Sequence, residues 1–351
     1  MISEIPFPGG FTLLGKTGIS TYSILLMIAF LVASYLAPRE LRRRGLDPEA
    51  ADWSLLLAVV GAIVGSKIFF IFEIWHKIWI VHDGFWDTFY YVFFKFNGMR
   101  ERFPNTPGIE GLWSNLLQGG GLVFYGGFLV SFASIYIYLR WRGYSIWRYG
   151  DAFMPSLALG YAIGRMGCMI SGDGCYGYGA SVAVPIFTMV YGPADGACGD
   201  PNAWWLPYMC SAGVRVWNTP VMESVLSLGL FAFLMLWVRH QKFRPGMMVA
   251  IFLIFNGLAR FAVEFLRIND AVIPIFDHPT YEAADGQIID LVHHNDRFLQ
   301  HPPATYFLNW HWYGFTQSQI TALVLVAVGA LWIGLGKLWK KDRPDAENVT
   351  G

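Results

Sequence analysis

The stretch Met247-Met248-Val249-Ala250-Ile251-Phe252-Leu253-Ile254-Phe255-Asn256-Gly257-Leu258-Ala259-Arg260-Phe261-Ala262-Val263-Glu264-Phe265-Leu266-Arg267 decides how this chain must be read. It is apolar for long enough to span a hydrocarbon core about 30 Å thick. Yet it carries Arg260, Glu264 and Arg267 at i, i+4 and i+7, so the three share one helix face. A charge at mid-bilayer costs roughly 2.5–3.5 kcal/mol on insertion scales. Charges so placed are expected to face a cavity, a partner or a ligand. Glu264 lies between two arginines and can orient them while net positive charge remains. Arg267, near the end of the run, has the alternative of snorkelling to the interface.

The same pattern recurs. Lys67 and Arg165 are the other basic residues inside apolar runs, and Glu223 is the second acid. Glycines flank the arginine in Gly164-Arg165-Met166-Gly167 and remove side chains around it, so a bulky anion can approach the guanidinium. An Arg–Glu pair in a Gly-packed bundle is the structural alternative, since small residues are common at membrane helix contacts. A cluster of arginines inside a membrane suggests an anionic ligand held there, and the obvious candidate is a lipid phosphate. Gly119-Gly120-Gly121 and Gly126-Gly127 bracket Tyr125. A tyrosine near a membrane boundary is usually an anchor. Here the glycines are expected to expose its hydroxyl.

Composition agrees with a membrane protein. Of 351 residues, 55% are hydrophobic and 14% charged, and the net charge is zero. Nothing in this balance implies a nucleic acid partner. Seven apolar runs of suitable length lie at 18–37, 53–73, 120–139, 152–171, 219–238, 246–266 and 317–336. The expectation is an all-α polytopic membrane protein of seven transmembrane helices, forming one integral membrane domain over 1–351. The N-terminus has Glu4, Pro6 and Pro8 and no basic region, so the first run is expected to stay as an anchor.

Basic residues follow the odd-numbered runs: Arg39, Arg42, Arg43 and Arg44; Arg140, Arg142 and Arg148; Arg239, Lys242 and Arg244; and Lys337, Lys340, Lys341 and Arg343. The opposite side has Lys16, Lys77, Lys95, Arg100, Arg102, Arg215 and Arg297, seven against fourteen. The positive-inside rule puts the N-terminus outside and the tail 337–351 in the cytoplasm. Segments 74–119, 172–218 and 267–316 then form an outer head. The first is rich in aromatics and is expected to lie at headgroup level. The last is acidic and is expected to be a solvated loop. His293 and His294 fit no standard metal site, and neither a metal nor a cofactor is expected. One outer disulfide is plausible, most simply Cys198–Cys210.

With these residues in view, the chain resembles the prolipoprotein diacylglyceryl transferases. The family signature Gly-Arg-x-Gly-Asn-Phe-x-Asn-x-Glu resembles 164–173, where Gly164, Arg165 and Gly167 match. Gly18-Ile19-Ser20-Thr21-Tyr22 and Arg43-Arg44-Gly45-Leu46-Asp47-Pro48 resemble further blocks. So do Gly65-Ser66-Lys67, Thr219-Pro220-Val221-Met222-Glu223 and Gly257-Leu258-Ala259-Arg260-Phe261 through Arg267. Ser318, Gln319 and Ile320 resemble the opening of the family's last span. The blocks follow the family order over nearly the whole chain. Departures are Tyr125 where the family often has His, Lys67 for Arg, and Cys168, Ser171 and Asp173 for Asn, Asn and Glu. The segment 267–316 is also longer than the family pattern.

The resemblance implies a bacterial inner-membrane enzyme that moves a diacylglyceryl group from phosphatidylglycerol to the lipobox cysteine thiol of a secreted prolipoprotein. Its expected catalytic residues are Arg165, Arg260, Tyr125 and Glu264. Lipid contacts are expected from Arg165, Arg260, Lys67, Tyr22, Gly126, Gly127, Gly164, Gly167, Asp173, Glu223 and Arg267. Arg165 and Arg260 would clamp the phosphate, with Lys67 as a point charge. Tyr125 would serve as base or hydrogen-bond donor, with Asp173 or the substrate phosphate as alternative proton acceptors. Two other readings stay open: a sibling transferase with a different donor or acceptor, and a lipid or solute carrier on the same scaffold.

Overall fold

The computed structural model describes residues 4–6, 18–81, 84–90, 124–171, 175–191, 211, 213–282, 288–290 and 308–340. Eight α-helices are used below: α1 Thr21–Arg43, α2 Glu49–Val81, α3 Phe85–Tyr90, α4 Phe124–Trp141, α5 Ile146–Ser171, α6 Thr219–Leu236, α7 Met247–Glu264 and α8 Gln317–Gly336. Every expected apolar run falls on a helix. Six stretches of the described residues are long and apolar enough to cross a membrane: α1, the first part of α2 (Glu49–Ser66), α5, Thr219–His240, α7 and α8. The protein is therefore a multi-pass helical membrane protein. Helix α4, at the third expected run, has 18 residues.

The described strands are short and form four two-stranded antiparallel sheets. They pair β1 Glu4–Pro6 with β2 Gly18–Ser20, β3 Thr188–Val190 with β4 Arg215–Trp217, β5 Ala271–Pro274 with β8 Gly314–Thr316, and β6 Thr280–Glu282 with β7 Ile288–Asp290. Cys198, Cys210, Asp173, His293 and His294, and residues 91–119, lie outside the described residues.

The chain divides into two compact units, 41–149 and 1–40 with 150–351. In the smaller unit, α2 and α4 pack through glycines. A Cβ on Gly126 would run into the Gly65 carbonyl and Phe69, and one on Gly127 would come within 2.9 Å of the Ala62 carbonyl. Both glycines are buried in this contact. Close helix approach accounts for these two glycines.

The Arg43–Pro48 block has a structural job in the same unit. Gly45 takes φ of 69°, the left-handed turn that ends α1. Asp47 then caps α2, its Oδ1 accepting from the Glu49 N–H at 3.0 Å, and Oδ2 accepts from the Tyr144 hydroxyl. The Tyr144 hydrogen bond, then the Glu49 N–H, hold the Asp47 carboxyl below the usual carboxylate range. A lowered folded-state pKa stabilises above the unfolded value and is lost as pH falls through the folded one. Asp47→Asn should thus lower the melting temperature at neutral pH. The wild-type advantage should shrink on acidification below about pH 4, read by thermal melts across pH.

In the larger unit, α5 and α6 are joined by hydroxyl-to-carbonyl bonds. Ser224 donates to the Ala162 carbonyl at 2.9 Å and Ser227 to the Ala158 carbonyl at 2.7 Å. Asp151 of α5 caps α7, accepting from the N–H groups of Gly246 (2.8 Å) and Val249 (3.0 Å). Helices α7 and α8 meet at Gly257 and Gly329, where a Cβ would press on Val326 and Ile254 respectively. A separate aromatic core of Tyr176, Tyr191, Val216, Trp310 and Tyr313 sits under the strands β3, β4, β5 and β8.

Candidate active site

Glu223 is the centre of the site. It lies in the first turns of α6, next to Ser224, so the Ser224–Ala162 bond draws it against α5. Only 4% of its surface is exposed. Its Oε2 lies 2.6 Å from Arg165 Nε and accepts from the Tyr161 hydroxyl at 2.5 Å. Its Oε1 lies 2.7 Å from Arg260 Nη1 and 3.7 Å from Arg267 Nη1. One carboxylate thus ties α5 to the α7 arginines.

Glu264 is the second anchor and is fully buried. Arg260 Nη2 is 2.8 Å from its Oε2, the i, i+4 pairing expected from spacing, and Arg267 Nε is 3.9 Å away. Its Oε1 accepts from Asn269 Nδ2 at 2.7 Å and the Thr316 hydroxyl at 2.9 Å. Thr316 is also the N-cap of α8, in a reciprocal capping box with Gln319. The start of α8 is therefore locked onto Glu264, and Ser318 accepts from Arg260 Nη2 at 3.1 Å. Arg267 points inward to the two glutamates with a 13% exposed side chain, rather than snorkelling.

Three arginines face two glutamates, so the cluster keeps one positive charge. Arg165 is an under-satisfied member, as is Arg267 at its buried Nε. Arg165 Nε is near Glu223 but not aligned as a hydrogen bond, Nη1 reaches only the Cys168 sulfur at 3.5 Å, and Nη2 is buried with no hydrogen-bond partner among the described residues. A buried guanidinium with unused N–H groups is under-satisfied. Beside it, a Cβ on Gly164 would meet nothing within 4 Å, as the glycine flank suggested. Gly167 does something else: a Cβ there would come 3.2 Å from the ring of Tyr22, so it seats α1 against α5.

The fold thus gathers Arg165, Glu223, Arg260, Glu264 and Arg267, with Gly164, Gly167 and Tyr22 on the adjoining helices. Lys67 and Tyr125 lie on α2 and α4 of the other unit, and their side chains are outside the described residues, as is all of Asp173. Sequence reasoning missed Tyr161, Asn269 and Thr316, and named Ser318 only as part of the block that opens the last span. Tyr161 was findable, since it sits one helical turn before Arg165. Asn269 and Thr316 carry no local signal, because they converge only through the fold.

A polytopic helical protein with a buried, net-positive arginine cluster has the charge to hold an anionic group within a membrane. The comparisons make this specific. The sequence model of the prolipoprotein diacylglyceryl transferase family matches residues 8–335, and the chain belongs to that family. It is 42% identical over 325 residues to a phosphatidylglycerol–prolipoprotein diacylglyceryl transferase of Leptospira interrogans, covering 93% of this chain and 91% of that protein. The protein of that name from Geobacillus kaustophilus is 28% identical over 269 residues, covering 76% and 84%.

Proposed function

We propose that this protein transfers the diacylglyceryl group of phosphatidylglycerol to a prolipoprotein cysteine, with the Glu223-centred arginine cluster as the phosphate clamp. Arg165 carries the reading: a buried guanidinium with unused N–H groups, next to open space at Gly164. The acceptor is the lipobox cysteine. Its thiolate attacks the glyceryl carbon that bears the phosphate. A C–S bond forms, the C–O bond breaks, and glycerol phosphate leaves with the electron pair. The charge developing on that phosphate needs fixed cations. Arg165 and Arg260 supply them, while Glu223 and Glu264 hold the guanidiniums in place before substrate arrives. Arg267 adds charge at the end of α7, and Lys67 a point charge from α2. Tyr22 and Gly164 would meet the lipid, whereas Gly126, Gly127 and Gly167, also expected as lipid contacts, serve as helix contacts.

The bilayer arrangement belongs to the same proposal. Seven helices cross the bacterial inner membrane, α4 being the third, with the N-terminus outside and 337–351 in the cytoplasm. Segments 74–119, 172–218 and 267–316 form the outer head. Accessibility labelling of single cysteines should find positions near Asn202 and Asp285 outside, and positions near Arg43 and Arg148 inside. A cytoplasmic label at Asp285 would overturn the seven-span order.

Tyr125 is proposed to act at the thiol proton. Its reference pKa of about 10 makes the neutral phenol a poor base, whereas imidazole near 6.5 suits the task. Tyr125→Phe should therefore lower turnover far more than it weakens lipid binding, and Tyr125→His should retain activity. Full turnover by Tyr125→Phe would move the proton to Asp173 or the substrate phosphate. Complementation of cells depleted of their own transferase tests the function as a whole. Growth with lipidated precursors supports it. Failure by well-inserted protein favours a sibling donor or acceptor, or a carrier.

A further inference from the structure

Strand β5 and the residues after it carry an apolar surface that water should not face. Val272 is 62% exposed, Ile273 51%, Ile275 51% and Phe276 60%. A half-buried strand alternates apolar and polar faces. This one is apolar and exposed on both. It belongs to a two-stranded sheet, and among the described residues its second edge has no strand beside it. An exposed, apolar edge strand is an aggregation site unless something covers it.

We propose that the stretch Val272–Phe276 is a membrane-interface anchor whose apolar side chains rest among the lipids of the leaflet at the Glu264 and Gln317 ends of α7 and α8. The tether fixes its depth. Pro274 pairs with Gly314, three residues before α8 begins at Gln317. At about 3.3 Å per residue, that ladder lies within about 10 Å of the helix start. Headgroup regions add roughly 5–8 Å per leaflet outside the hydrocarbon core. The strand is therefore held at headgroup depth.

Three further features fit that depth and not a deeper one. Asp270 and Asp277 flank the stretch and set a limit to immersion. The unpaired backbone edge of β5 could not be satisfied in hydrocarbon. A half-buried Trp312 accompanies it, 5.9 Å from the Phe276 ring, and the buried Tyr313 fixes the end of the stretch, its carbonyl accepting from the N–H groups of Ile275 (2.8 Å) and Phe276 (2.9 Å). Leu258 of α7 and Leu323 of α8 are exposed apolar residues as well. This assignment does not depend on the proposed reaction. It replaces the solvated loop that the acids of 267–316 suggest.

The test places the photo-reactive residue benzoylphenylalanine at Phe276, and separately at Ile275, in the full-length protein reconstituted into phospholipid nanodiscs. Leu323, on an apolar membrane helix, serves as the positive control. Irradiation should yield phospholipid adducts at Phe276 and Ile275 in yields comparable to Leu323, identified by mass spectrometry. Adducts at Leu323 with none at Phe276 or Ile275 would overturn the proposal. Adducts of those two positions to a second copy of the chain, or to an added signal peptide, in place of lipid would also overturn it.

Discussion

Arg165→Ala should abolish diacylglyceryl transfer in a protein that still inserts and folds. Among the described residues the arginine leaves two buried nitrogens, Nε and Nη2, without a hydrogen bond, so its removal breaks few protein contacts. Glu223 keeps Tyr161 on the same oxygen and Arg260 on the other. The loss falls on the transition state, where a missing cationic donor costs on the order of 2.7–4 kcal/mol, or 10²–10³ in rate. The readout is thioether formation on a lipobox peptide with phosphatidylglycerol in detergent. Arg260→Ala should lose as much, and Arg260→Lys should be partly active, because an ammonium cannot bridge Glu223, Glu264 and Ser318 as the planar fork does. Transfer near the wild-type rate by Arg165→Ala would remove this residue from the chemistry.

Glu223→Gln should be the most damaging substitution to stability. Glutamine keeps the volume but loses the charge, and its amide nitrogen must face an arginine or Tyr161. Breaking a buried ion pair by removing one partner costs about 3–5 kcal/mol, and here one carboxylate serves Arg165, Arg260 and Arg267. A lowered melting temperature together with lost transfer is expected. Arg165→Ala should lose transfer with a far smaller fall in melting temperature. Unchanged melting by Glu223→Gln would show that the network does not hold the helices together.

The contrast between these two residues explains what was legible beforehand. Apolar run length places every described α-helix except the short α3, because a lipid-spanning chain has few ways to satisfy its backbone. The i, i+4, i+7 spacing of Arg260, Glu264 and Arg267 places three site residues on one face. That Glu223 joins them is not readable from spacing, since it depends on the Ser224–Ala162 and Ser227–Ala158 bonds between α5 and α6. Glycine was the most ambiguous sign. Gly164 faces open space, whereas Gly126, Gly127 and Gly167 are contact points for other helices, and nothing local distinguishes them. The acids of 267–316 drew attention away from the apolar stretch Val272–Phe276 between them.

The central claim is that the arginine cluster stabilises a departing glycerol phosphate while a thiol takes the glyceryl carbon. The most direct measurement follows both products in one reaction, using purified protein, phosphatidylglycerol and a lipobox peptide. Glycerol phosphate and thioether-linked diacylglyceryl peptide should appear in equal amounts, and both should vanish together in Arg165→Ala. Thioether formed without equimolar glycerol phosphate, or both products formed at the wild-type rate by Arg165→Ala, would contradict the account.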